Sequence, residues 1–180
     1  MPKFPRIRGK ERKIEPISEA EQEAIFAEIP AEHKPIFTLI RNTGCRLGEA
    51  CKLKKTDIDR ARGIIHFRET KTGKDREFPI MPDLEDGLKV TDLRSPYQFM
   101  WLDKPYDRRR LFNLWWKANR RAGCRMVRLY DLRASFICRM APTMELGVLA
   151  KLVGQSIRTM DKHYLAYDAE TMREAMEGKR

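Results

Sequence analysis

Along its 180 residues the chain leaves the helical period once and then returns to it. Between Asp57 and Ile80 the apolar residues fall into short runs, at Ile58, at Ile64-Ile65-His66-Phe67 and at Phe78-Pro79-Ile80. Arg60-Ala61-Arg62-Gly63 and Lys71-Thr72-Gly73-Lys74 separate the runs, and both have the composition of hairpin turns. Three strands this short cannot enclose a core of their own and must be set against helices. The helices are readable on either side. Ser18 and Glu21 form a capping box that opens one through about Ala27, and Ile36, Leu39 and Ile40 mark the buried face of a second that Thr43 and Gly44 interrupt. A short helix restarts near Arg46 and carries Leu47, Ala50 and Cys51 inward. Beyond an irregular stretch expected over 81–106, Leu111, Leu114, Trp115 and Ala118 recur at helical spacing, and further helices are predicted around 131–140, 145–153, 157–166 and 169–177. The expected fold class is mainly α with a small three-stranded antiparallel β-sheet.

Charge narrows the partner. Thirty-seven Lys and Arg against 26 Asp and Glu leave a net charge of +11. Each phosphate that such a surface neutralises releases condensed counterions, so DNA or RNA is the leading partner. No apolar run approaches the roughly 18 residues of a membrane span, and residues 1–16 are basic without the apolar segment of a secretory signal. The four cysteines, Cys45, Cys51, Cys124 and Cys138, include no CxxC pair, and only three histidines accompany them. That pattern argues against zinc and for a reduced, intracellular setting in which each cysteine serves as a small hydrophobe.

Four segments in fixed order carry a resemblance. Thr43-Gly44-Cys45-Arg46-Leu47-Gly48-Glu49 is followed by Leu53, Asp57 and Ile58. Thr70-Lys71-Thr72-Gly73-Lys74 precedes Phe78-Pro79-Ile80. Then come Tyr130-Asp131-Leu132-Arg133-Ala134-Ser135 and Leu152-Val153-Gly154-Gln155, with Tyr164 nine residues beyond Gln155. Each box alone is common, but their joint order over roughly residues 17–170 resembles the catalytic domain of the tyrosine recombinases, the phage-integrase type of enzyme. Residues 1–16 resemble the linker that follows that family's N-terminal core-binding domain, and residues 17–180 the catalytic domain itself. No core-binding domain is read here, so the chain alone is expected to clamp DNA weakly and with little sequence selectivity.

The resemblance implies attack of a phenolate on a DNA phosphodiester, giving a 3′-phosphotyrosyl linkage and a free 5′-hydroxyl, with no ATP, metal or other cofactor. Tyr164 matches the nucleophile, with Tyr167 one turn later on the same predicted helix. Arg46 and Arg133 match the arginine pair that holds the non-bridging oxygens, where charge builds in the transition state and planar, bidentate donors serve better than lysine. Lys71 matches the general acid that protonates the departing 5′-oxygen; Lys74 lies three residues away, and spacing alone does not separate the two. Glu49 is placed either behind Arg46, orienting it, or on an ordinary helix surface. His163 adjoins Tyr164 but points about 100° away on an ideal helix, which makes it a surface residue rather than a base.

Two positions depart from the family pattern. Tyr130 stands where a histidine is commonly assigned as proton acceptor, and a phenol is a poorer base near neutral pH. Gln155 stands in place of a histidine or tryptophan, and its amide can still donate to a phosphate oxygen. The implied partners are double-stranded DNA and further copies of the chain in a DNA-bound tetramer, in the cytoplasm of a prokaryote at the nucleoid. The segment 168–180 reads as an amphipathic helix that docks on a neighbouring protomer or on its own domain. Two rivals keep the fold: a binding module that has lost the chemistry, and a type IB topoisomerase-like enzyme. A helix-turn-helix regulator fits the charge but leaves the lysine-rich hairpin and the ordered boxes unexplained.

Overall fold

The computed structural model describes residues 15–68, 75–88 and 94–164. Ser18 and Glu21 cap the first helix reciprocally, as the sequence predicts, and α1 spans Glu19–Ala27. A 3-10 turn at Ala31–His33 leads into α2, Lys34–Thr43, whose Ile36, Phe37, Leu39 and Ile40 are all buried. Gly44 closes α2 in the left-handed conformation at φ 58°, and α3, Leu47–Lys52, follows after an extended Arg46. A Cβ on Gly44 would also lie 2.6 Å from Cδ1 of Phe136, so the turn admits no side chain.

The strands β1 (Ile58–Asp59), β2 (Ile64–Phe67) and β3 (Arg76–Pro79) form the expected antiparallel sheet in the order β1-β2-β3. Its register pairs Ile65 with Phe78, both buried, and Phe67 with Arg76 on the same face. His66 and Glu77 pair on the opposite, wetter face. The second turn, with Lys71 and Lys74, lies outside the described residues.

The stretch expected to be irregular over 81–106 holds more structure than its sequence announces. A short helix α4, Pro82–Glu85, precedes a 3-10 turn at Asp86–Leu88, and β4 (Met100–Trp101) pairs with β5 (Lys104–Pro105). Two-residue strands leave no alternation to read. The tip adopts positive φ at Leu102 and Asp103, as a two-residue hairpin turn requires, but without the glycine or asparagine that would signal it. The ladder is fixed from behind by His33, whose Nδ1 lies 2.6 Å from the Tyr106 hydroxyl and whose ring makes a T-shaped contact with Trp101.

Helix α5, Arg108–Ala122, starts at an Asp107 cap and buries Leu111, Trp115 and Ala118. The Trp115 indole donates to the carbonyl of Val127, 2.9 Å away, and Trp116 faces outward. Helices α6 (Asp131–Met140), α7 (Leu146–Val153) and α8 (Ile157–Tyr164) complete the described chain, and α8 packs against α6 and α7 around a buried Met160. The helix predicted over 169–177 lies outside the described residues. Cys45 and Cys51 are buried, which pushes their thiols up to about 12 and about 11, whereas Cys124 and Cys138 are only half-buried. No helix of the described residues is long and apolar enough to cross a membrane.

Candidate active site

The C-terminal end of α7 organises the site. Every helix leaves its last carbonyls without intrahelical donors. Here the N–H of Gln155 reaches the carbonyl of Ala150 and that of Gly154 reaches Lys151, the paired bonds of a Schellman ending. Gly154 makes this turn at φ 63°. The next three carbonyls are each met by a different arginine. Nε of Arg76 donates to Leu152 at 2.7 Å, Nη2 of Arg133 to Val153 at 2.8 Å, and Nη2 of Arg46 to Gly154. Three guanidiniums from β3, α6 and the start of α3 thus converge on one helix terminus, whose partial negative charge favours them.

Each arginine is fixed at a second point. Arg133 is buried on the first turns of α6, and its Nη1 donates to the Gly44 carbonyl, tying α6 to the turn that presents Arg46. Its Nη2 also donates to Oε1 of Gln155 at 2.8 Å. Because a guanidinium only donates, this bond sets the amide orientation and leaves the Gln155 NH2 directed elsewhere. Arg46 is 24% exposed along its side chain, and its Nη1 donates to Oε1 of Glu49 at 2.8 Å.

Glu49 resolves the alternative left open by the sequence: it is buried and hydrogen-bonded to Arg46, not spread on a helix surface. Its Oε2 accepts from the Arg46 backbone N–H at 2.8 Å and from Nη2 of Arg76 at 2.8 Å. Burial pushes the carboxyl pKa up. Hydrogen bonds and charge from Arg76, followed by the bonds from Arg46, outweigh that and hold it below the ordinary 4.5.

Arg46, Arg133, Arg76, Tyr130 and Gln155 line one open cleft of about 1430 Å³, together with Gly154 and Ile157. Tyr130 is 47% exposed at the mouth, its ring 6.1 Å from that of Phe112. The structure therefore brings together four of the six site residues predicted from sequence. Lys71 and Tyr167 lie outside the described residues, as does Lys74. Tyr164 lies on α8, but its side chain and that of His163 lie outside what is described. Sequence reasoning missed Arg76. The signal was present: in a strand whose Phe78 points inward, Arg76 two positions earlier shares that face, and an inward cation needs an acid.

Such a cleft concentrates positive charge around one buried carboxylate and offers fork-shaped donors from two directions, which suits a tetrahedral or trigonal-bipyramidal phosphate. The phage integrase family model matches residues 10–171. Tyrosine recombinase XerA of Thermococcus onnurineus is 29% identical over 176 residues, covering 91% of this chain and 62% of the relative. Among solved structures, that of XerA recombinase superposes with a TM-score of 0.78 at 22% identity, covering 99% of this chain and 66% of that one. The Tn1549 transposon integrase in complex with transposon right end DNA gives 0.79 at 17% identity, covering 96% and 68%. The chain thus spans just under two thirds of the length of the XerA relative, and the structural likeness carries the fold. With the family model matched over most of its residues, the chain belongs to the phage integrase family.

Proposed function

We propose that this chain is the catalytic unit of a site-specific DNA recombinase that cleaves and rejoins strands through a 3′-phosphotyrosyl intermediate, with residues 17–180 as that unit. The observation that carries the reading is the convergence of Arg46, Arg133 and Gln155 on one open cleft beside α8, the helix that carries Tyr164. The Tyr164 phenolate attacks phosphorus at the scissile phosphate. The bond from phosphorus to the 5′-oxygen breaks, and Lys71 supplies the proton that makes this oxygen a hydroxyl. Arg46 and Arg133 hold the non-bridging oxygens as negative charge grows on them. The Gln155 amide donates to the same phosphate, the task a histidine or tryptophan performs in the family pattern. Tyr130, at the cleft mouth, hydrogen-bonds the phosphate or the nucleophile. The 5′-hydroxyl of a second strand then attacks the phosphotyrosine and restores the tyrosine, so neither ATP nor a metal is consumed.

Double-stranded DNA is the partner that the charge of +11 supports. Strand exchange between two duplexes needs an active site on each of four strands, so the acting assembly is a tetramer on DNA. The test uses two differently labelled duplexes and a supercoiled plasmid carrying the same candidate sites. Joined products of mixed label, with a kinase-labelable 5′-hydroxyl at the cleaved intermediate, are the expected result. Relaxed plasmid without mixed products would replace recombination by topoisomerase action. Salt-sensitive binding without cleavage would leave a DNA-binding module.

A further inference from the structure

Arg76 lies outside the boxes that identify the reacting residues, yet its side chain is 7% exposed and is bonded to the site through Nε and Nη2. Its guanidinium stacks over Phe67, its cross-strand partner, at 4.2 Å from the ring centroid. Nε holds the Leu152 carbonyl, and Nη2 holds Oε2 of Glu49 at 2.8 Å. The opposite oxygen of that carboxylate holds Nη1 of Arg46, also at 2.8 Å. One buried carboxylate is therefore shared by two guanidiniums, of which Arg46 is the more open, 24% exposed against 7% for Arg76.

The sharing has an electrostatic consequence. A guanidinium paired singly with a carboxylate at hydrogen-bond distance is close to a neutral dipole and loses most of its pull on a third group. Arg76 supplies the second positive charge, so the trio of Arg46, Glu49 and Arg76 keeps a net charge of one cation, facing the cleft through Arg46. We propose that Arg76 is a positioning residue for strand cleavage: acting through Glu49, it balances the carboxylate and holds Arg46 in place, so that the charge of Arg46 remains available to the scissile phosphate. This rests on the reading of the cleft as the cleavage site. Arg76 lies in the wall of the cleft with its side chain only 7% exposed, and its Nη1 is buried without a hydrogen-bond partner among the described residues.

The experiment measures single-turnover adduct formation by the full chain on a nicked duplex whose leaving strand escapes, alongside DNA affinity by anisotropy and thermal unfolding. Wild type is compared with Arg76→Met, Arg76→Lys and the double variant Arg76→Met with Glu49→Gln. Arg76→Met is expected to slow adduct formation by about 10- to 100-fold, the usual scale for a group that orients a reacting one, with DNA affinity unchanged. Arg76→Lys keeps the charge and recovers part of the rate. Glu49→Gln in the Arg76→Met background also recovers rate, because the amide still accepts from Arg46 and no longer cancels its charge. A purely structural role predicts the opposite, a double variant at or below the single one. Arg76→Met cleaving at the wild-type rate, or no recovery in the double variant, overturns the inference alone. If Arg76→Met does not fold, Arg76→Lys with and without Glu49→Gln makes the same comparison. A wild-type chain that forms no adduct overturns both the inference and the reading beneath it.

Discussion

Arg46 and Arg133 reach the same cleft under different constraints. Arg133 is locked by the carbonyls of Gly44 and Val153 and by Gln155, whereas Arg46 leans on Glu49 and Gly154 and is the more open of the two. Replacing either by lysine keeps a charge but discards the fork. Arg133→Lys also leaves buried carbonyls with fewer donors, so it is expected to lower both adduct rate and melting temperature. Arg46→Lys is expected to lower the rate by about 10²- to 10³-fold, the cost of losing one preorganised donor, with little change in melting. Single-turnover rates and calorimetry on the two variants check the split. Glu49 adds a pH signature. Its folded carboxyl sits below the ordinary 4.5, so the unfolded chain takes up the proton first as pH falls. The stability this group contributes is full above about 4.5 and is lost as pH drops through its lower folded value. Urea midpoints across that acid range should fall less steeply in Glu49→Gln than in wild type.

At the scale of elements, two glycines set the turns on which the arginines hang, and a third serves as a control. Gly44, Gly63 and Gly154 share nearly the same positive φ, but their surroundings differ. An added Cβ meets Phe136 at 2.6 Å at Gly44, meets Arg76 and Arg46 at 3.2 and 3.3 Å at Gly154, and meets nothing within 4 Å at Gly63. Alanine at each pays the left-handed strain of about 1 kcal/mol or more. The expected loss of melting temperature therefore ranks Gly44→Ala above Gly154→Ala above Gly63→Ala, with Gly63→Ala at about 2–4 °C. Equal shifts at all three would show that the close approaches are not felt. The longer helices and strands β2 and β3 were legible because apolar period survives over their length, and the two-residue β1 was found only through Ile58 beside the turn at residues 60–63. The β4–β5 ladder was not, since its strands are two residues long and its tip lacks glycine. Arg76 was hidden for another reason: its spacing to Phe78 gives its face, but the acid it meets stands on a different element and is not adjacent in sequence.

For the whole molecule, Arg46, Arg76, Arg133 and Gln155, spread over residues 46–155, meet in one cleft because α7 ends in their midst. Arg46, Arg76 and Arg133 satisfy carbonyls that the fold must satisfy in any case, so folding and site assembly are the same event. The order of the boxes announced the family; which arginine meets which carbonyl needed the fold. The surplus of cations predicts DNA binding that weakens steeply with salt, by about 10³-fold or more between roughly 50 and 200 mM if six or more phosphates are contacted. Anisotropy titrations over that range measure it, and a flat response would remove the electrostatic basis of the account. The nucleophile is identified by a covalent adduct on a nicked suicide duplex, resolved under denaturing conditions, for wild type, Tyr164→Phe and Tyr167→Phe. Wild type and Tyr167→Phe are expected to form the adduct and Tyr164→Phe to form none; an adduct that persists in Tyr164→Phe would rule out Tyr164 as the nucleophile.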